Sequence, residues 1–119
     1  MKRLILMGAS GSIGTQSIDV IKQHADQLEL VGVSVGHNTD YLLKILNEFD
    51  IRYAYTIEDN HELRKDYPKT KFFFGEEGLQ EMAKLPDYDM LVNALVGFTG
   101  FKPTVEAIKN HKDIALANK

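Results

Sequence analysis

The residues with the most legible chemistry stand at the start of the chain. Gly8-Ala9-Ser10-Gly11-Ser12-Ile13-Gly14 follows the apolar run Leu4-Ile5-Leu6-Met7 and opens an amphipathic segment. A strand that feeds a glycine-rich turn into a helix is a phosphate-binding device. The first N–H groups of a helix have no partner within it, and the helix dipole favours an anion there. Glycines keep the turn tight and let a pyrophosphate approach the backbone with no Cβ in the way. The spacing is G-x-x-G-x-x-G, with Ala9 where the commoner G-x-G-x-x-G would begin. The position between strand and helix gives the pattern its weight and points to a dinucleotide. Ser10 and Ser12 add hydroxyls that can donate to phosphate oxygens. The competing reading is a glycine turn that packs helix on sheet without a ligand.

A second group lies at the tip of the next apolar run, Val35-Gly36-His37-Asn38-Thr39. An acid at this place in a dinucleotide fold holds the ribose 2′-OH and repels a 2′-phosphate. Here the first acid is Asp40. Gly36 permits close approach, and His37, Asn38 and Thr39 can donate to a phosphate, so NADP is favoured over NAD. A polar turn capping the next helix is the plainer reading and is compatible with the first. A third stretch, Asn93-Ala94-Leu95-Val96-Gly97-Phe98-Thr99-Gly100, leaves a later apolar run with a side-chain amide, small residues and two glycines. It suits a loop passing under a nicotinamide ribose, or a flexible connection with no ligand. Ala117-Asn118-Lys119 again brings polar groups to the end of an apolar run.

Other constellations carry less. There are no cysteines, which excludes disulfides, thiolate metal sites and a cysteine nucleophile. The histidines (His24, His37, His61, His111) are scattered. Asp87-Tyr88-Asp89 spaces two carboxylates like metal ligands, but after Pro86 it reads as a solvated turn. Tyr67 and Lys71 imitate a Tyr-x-x-x-Lys pair, yet Pro68 prevents helical spacing. A net charge of −3 and the lack of a basic stripe argue against nucleic-acid binding. The apolar run after Lys2 and Arg3 is too short for a signal peptide or a membrane span, so a cytoplasmic location is expected.

The elements that must position these residues alternate. Strands are expected over 3–7, 29–35, 52–56, 71–74, 89–93 and 113–117. Helices are expected over 12–24, from Thr39 or Asp40 as cap, and over 59–66, 76–84 and 102–110. Glu76 and Glu77 fall in the first turn of the fourth helix on this reading. The 119 residues suffice for one domain with a real core. Repeated βα units imply an α/β, Rossmann-type doubly wound fold: a mostly parallel six-stranded sheet, helices on both faces, strand order 3-2-1-4-5-6. The sequence stops directly after its last strand, at the sheet edge where ligands bind, and reads as the first domain of a longer protein.

Taken together, Gly8 to Gly14 with Ser17-Ile18-Asp19-Val20-Ile21, Gly36-His37-Asn38, Asn93-Ala94-Leu95-Val96-Gly97, Gly100, Pro103-Thr104, Ala107-Ile108 and Ala115-Leu116-Ala117-Asn118-Lys119 resemble the start of the 1-deoxy-D-xylulose 5-phosphate reductoisomerases, in order and across the whole chain. The resemblance implies an NADPH-binding domain over 1–119. Its enzyme rearranges and reduces 1-deoxy-D-xylulose 5-phosphate to 2-C-methyl-D-erythritol 4-phosphate in non-mevalonate isoprenoid synthesis. It implies that Ser10, Gly11, Ser12 and Ile13 hold the pyrophosphate, and Gly36, His37 and Asn38 the adenosine ribose and its 2′-phosphate. Asn118 would touch the nicotinamide half and Lys119 the substrate. Position 37 is commonly lysine in that family, and a histidine loses its charge as pH rises, which would weaken the phosphate contact. The family's ligands for Mg²⁺ or Mn²⁺ and its catalytic groups fall beyond Lys119, so this chain is expected to bind NADPH without turnover. The full-length family is usually homodimeric. Two other readings stay open: the first domain of another NADP-dependent reductase, and a stand-alone nucleotide-sensing module.

Overall fold

The computed structural model describes residues 1–95 and 97–116, with the side chains of 97 and 98 left aside. The strands are β1 (Lys2–Met7), β2 (Leu28–Ser34), β3 (Tyr53–Thr56), β4 (Lys71–Phe74), β5 (Met90–Asn93) and β6 (Asp113–Leu116). The helices are α1 (Ser12–Gln23), α2 (Thr39–Glu48), α3 (His61–Asp66), α4 (Gly78–Ala83) and α5 (Phe101–Lys109), the last preceded by a 3₁₀ turn over Gly97–Gly100. The expected βα alternation is therefore present, with shifted ends.

All five strand pairings are parallel. The order is β4-β3-β2-β1-β5-β6, which corrects the expected 3-2-1-4-5-6. The fourth strand extends the first march outward beyond β3 instead of returning to β1. The reversal of strand order thus falls between β1 and β5.

Handedness then decides which face each helix covers. The march from β1 to β4 puts α1, α2 and α3 on one face, where Ile18, Ile21, Leu42, Ile45, Leu46 and Leu63 pack on Leu4, Leu6, Leu30, Val33 and Ala54. The crossing to β5 and β6 puts α4 and α5 on the other, where Leu79, Met82, Ala83 and Ala107 pack on Ile5, Met7, Val31, Phe73 and Leu91. Both faces of the central strands are covered, which is why their runs read as continuously apolar.

Three local expectations change. Asn38, not Thr39 or Asp40, caps α2: its Oδ1 accepts the Tyr41 N–H at 3.1 Å, and Asp40 sits in the first turn. α4 begins at Gly78, so Glu76 and Glu77 precede it. Gly75 turns there with φ +81°, and a Cβ on Gly78 would stand 2.8 Å from the Tyr55 ring. Asp87-Tyr88-Asp89 is not a free solvated turn. Asp87 accepts the Tyr53 hydroxyl at 2.6 Å, Asp89 accepts the Arg3 N–H at 2.8 Å, and Tyr88 is buried between them.

Candidate cofactor site at the strand-order reversal

In open parallel sheets a ligand binds outside the carboxyl ends of the strands, where the order reverses. The turn after β1 lies at that place. Gly8 adopts φ +84°, which only glycine takes without strain, and a Cβ there would stand 2.9 Å from the Ala94 carbonyl oxygen of the loop after β5. Ala94 in turn donates to the Met7 carbonyl at 2.9 Å. The two loops flanking the reversal are therefore in contact.

The three glycines do different work. A Cβ on Gly14 would fall 2.0 Å from the Gly8 carbonyl oxygen, so Gly14 is required for α1 to pack on the turn. A Cβ on Gly11 would meet nothing nearer than that same oxygen at 3.8 Å. Gly11 has φ −76° and ψ 174°, an extended conformation open to any residue. Nothing among the described residues demands glycine at 11, and the space left open faces the helix end.

That end of α1 is chemically incomplete. Gly11, its N-cap, has no side chain to accept a hydrogen bond, and the first turn holds no acid. By contrast, Asn38 caps α2 and Asn60 caps α3, each with an acid in the following turn. The backbone N–H groups of Ser10, Ser12, Ile13 and Gly14 find no acceptor among the described residues, whereas Thr15 donates to the Gly11 carbonyl at 2.9 Å. Gly11 and Ser12 are exposed, and Ser10 and Ile13 half-buried. Several converging donors at an unscreened dipole end suit a pyrophosphate. The Ile13 side chain points elsewhere, into an apolar groove with Val20, Met90 and Val92, so Ile13 offers the ligand its backbone.

The second predicted group forms one wall of a depression of about 190 Å³. Gly36, His37 and Thr39 face Thr56, Ile57, Glu58, Asp59 and Asn60 across it. A Cβ on Gly36 would meet only Ile57 Cδ1 at 3.8 Å. Asn38 spends its carbonyl oxygen on the α2 cap, which leaves its amide as a donor. The nearby acid Asp59 is neutralised by Arg64, whose Nε and Nη2 lie 2.8 and 2.9 Å from its two oxygens. One hydrogen bond, from Nη2, and the close Nε offset the Asp59 charge, while Glu58 shares the same wall.

Asn93 is buried and fully used. Its Oδ1 accepts the Leu95 N–H at 3.0 Å, while its amide reaches the Gly100 carbonyl at 3.0 Å and Thr104 Oγ1 at 2.6 Å. The loop after β5 is thus latched to α5 and is not a free connection. Val96, Asn118 and Lys119 lie outside the described residues. Tyr67 ends α3 and donates to Asn47, and Lys71 opens β4, so the two share no helical face. Asp87 and Asp89 sit at the opposite, amino, end of the strands, beside Tyr53 and Arg3. Burial raises the Asp87 carboxyl, but the Tyr53 hydroxyl and Arg52 outweigh it and bring the group below its ordinary range. The Arg3 N–H does the same for Asp89. Among the described residues no three His, Cys, Asp or Glu side chains gather as a metal site. No described helix is long and apolar enough to cross a membrane.

A family profile for 1-deoxy-D-xylulose 5-phosphate reductoisomerase matches residues 4–119. The chain belongs to that family. A reductoisomerase from Bacillus cereus strain AH187 is 47% identical over 121 residues, and one from Clostridium perfringens strain 13 is 41% identical over 128. Both alignments cover all of this chain but only 32% and 33% of the relatives, so the chain spans about a third of their length. Among solved structures, a DOX-P reductoisomerase in complex with NADPH, fosmidomycin and magnesium is 32% identical, with a TM-score of 0.91 over 99% of this chain and 30% of that one. The Zymomonas mobilis reductoisomerase in complex with NADPH is 25% identical, with a TM-score of 0.86 over 98% of this chain and 32% of that one.

Two features escaped the sequence reading. Ser34, a polar residue inside an apolar strand, is buried against the glycine turn. The wall opposite His37 comes from the loop after β3, whose Asp59-Asn60 had looked like an ordinary helix start. A lone serine in Leu-Val-Gly-Val-Ser-Val was the available signal for the first, and the second had none.

Proposed function

We propose that residues 1–119 form the NADPH-binding domain of a reductoisomerase that converts 1-deoxy-D-xylulose 5-phosphate to 2-C-methyl-D-erythritol 4-phosphate. The uncapped α1 N-terminus, open above Gly11 at the strand-order reversal, is the observation that carries this reading. Ser10, Gly11, Ser12 and Ile13 hold the pyrophosphate, Ser10, Ser12 and Ile13 through backbone and hydroxyl donors and Gly11 by leaving room for its approach. Gly36, His37 and Asn38 take the adenosine ribose and its 2′-phosphate, with no acid at the β2 tip to repel it. Asn118 meets the nicotinamide half and Lys119 the substrate. When bound, the cofactor supplies the hydride. The whole enzyme is a cytoplasmic homodimer that acts in isoprenoid synthesis. Its divalent metal, Mg²⁺ or Mn²⁺, is held by residues of the part of the relatives that this chain does not span.

Calorimetric titration of the chain with NADPH and NADH tests the reading. NADPH binds more tightly than NADH, and no NADPH is consumed when substrate and Mg²⁺ are added. Equal affinity for the two cofactors, or steady NADPH oxidation, would overturn the respective half of it.

A further inference from the structure

The glycine turn is held from the β2 side by a single residue. The Gly8 N–H donates to the Ser34 hydroxyl oxygen at 2.9 Å, and the next N–H, that of Ala9, donates to the Ser34 carbonyl, also at 2.9 Å. One residue therefore occupies two consecutive donors at the point where the backbone turns left-handed. The donors that follow, on Ser10, Ser12 and Ile13, are those left for a ligand.

The register of the sheet brings Ser34 there. Leu4 pairs with Leu30, but Ile5 pairs with Gly32, so β2 carries one extra residue at Val31. This bulge sets Ser34 opposite Met7, at the last pair before the turn. Without it the pairing would slip by one and reverse which side chains face each way. Ser34 is 2% exposed, at the end of a strand whose buried side chains before it are Leu30, Val31 and Val33, where a hydroxyl is retained at a solvation cost unless it bonds. We propose that Ser34 is a positioning residue for the cofactor's pyrophosphate. Through Gly8 it fixes the direction in which the free N–H groups of the turn point. This rests on the NADPH reading of the site and adds to it a residue that does not itself touch the ligand.

The test uses the ¹⁵N-labelled chain at low temperature, with amide exchange and NADPH titration on wild type, Ser34→Ala and Ser34→Thr. Ser34→Ala is expected to speed Gly8 exchange at least tenfold, leaving Ile5 and Leu6 unchanged. It should weaken NADPH roughly five- to twentyfold, the effect of one lost charge-orienting contact. Ser34→Thr restores both to within about twofold. Adenosine 2′-phosphate, which has no pyrophosphate, keeps its affinity in all three, an outcome that general destabilisation would not give. If Ser34→Ala does not fold, Ser34→Cys replaces it, with a weaker acceptor in a similar volume. An unchanged NADPH affinity in the alanine variant overturns the proposal, as does a threonine variant as weak as alanine. Failure of the wild-type chain to bind NADPH overturns the cofactor reading itself, and the Gly8 exchange data keep the two failures apart.

Discussion

Alanine at position 11 should separate cofactor binding from folding. The perturbation adds one methyl where, its chain neighbours aside, no atom of the described residues comes nearer than 3.8 Å, in a backbone conformation alanine adopts freely. Two opposing effects set the stability. Loss of unfolded-state freedom favours alanine by about 0.4–1 kcal/mol. Alanine is a poorer N-cap than glycine by about the same amount. The net change is within about 0.5 kcal/mol, or roughly 3 °C in Tm. The cofactor meets a different balance. The methyl occupies the approach to the α1 N-terminus and displaces the pyrophosphate from N–H donors worth about 1.5–3 kcal/mol each. Losing one such bond is about a 10- to 150-fold loss of affinity. The control is Gly14→Ala, whose Cβ would stand 2.0 Å from the Gly8 carbonyl oxygen. That variant is expected to lose about 3 kcal/mol of stability. Differential scanning fluorimetry gives the stabilities and calorimetry the affinities. Wild-type NADPH affinity in Gly11→Ala, or a Tm loss equal to that of Gly14→Ala, would refute the reasoning.

Other outcomes follow from the same geometry. His37→Lys, which sets a flexible ammonium on the wall of the depression, raises the preference for NADPH over NADH by about three- to tenfold, read by parallel titrations. Arg64→Met strips Asp59 of its cation and adds an uncompensated carboxylate to the wall that already holds Glu58; NADPH weakens by about three- to tenfold while NADH does not, and equal weakening would contradict the charge argument. Asp89 and Asp87 are held below their ordinary range when folded, so their contribution is complete above the unfolded carboxylate value of about 4 and is lost as pH falls through the lower folded values. Tm accordingly drops on acidification below about pH 4, and Asp89→Asn, which cannot titrate, flattens that drop.

Much of this was readable in the residues, for reasons that differ by element. The β1 turn and α1 were legible because glycine spacing, strand and helix all pointed to one geometry, and Gly8 and Gly14 each proved to have a separate structural cause. The place of β4 was not. Its Lys-Phe-Phe-Phe fits either an inner or an outer position, and only the direction of the crossover after Thr56 decides. The α2 cap was misassigned because Asn38, Thr39 and Asp40 are all competent caps whose preferences differ by a few tenths of a kcal/mol. Asp87 and Asp89 looked solvated because their partners, Tyr53 and Arg3, are remote in sequence. Ser34 was passed over because one hydroxyl in an apolar strand carries no period.

The position of β4 at the far edge also orders assembly in time. β1 to β4 pair with their sequence neighbours, each closing a loop of about one βα unit. β5 must instead travel back across that half-sheet to pair Leu4 with Met90. Closing the longer loop costs more chain entropy, and such long-range contacts form late in folding. The crevice between β1 and β5 is therefore the last seam of the sheet to close. A chain with only its first half folded already presents Gly11 and His37, but lacks the Ala94 wall that confines Gly8. Cofactor added during refolding would then speed completion of the second half and leave collapse of the first untouched.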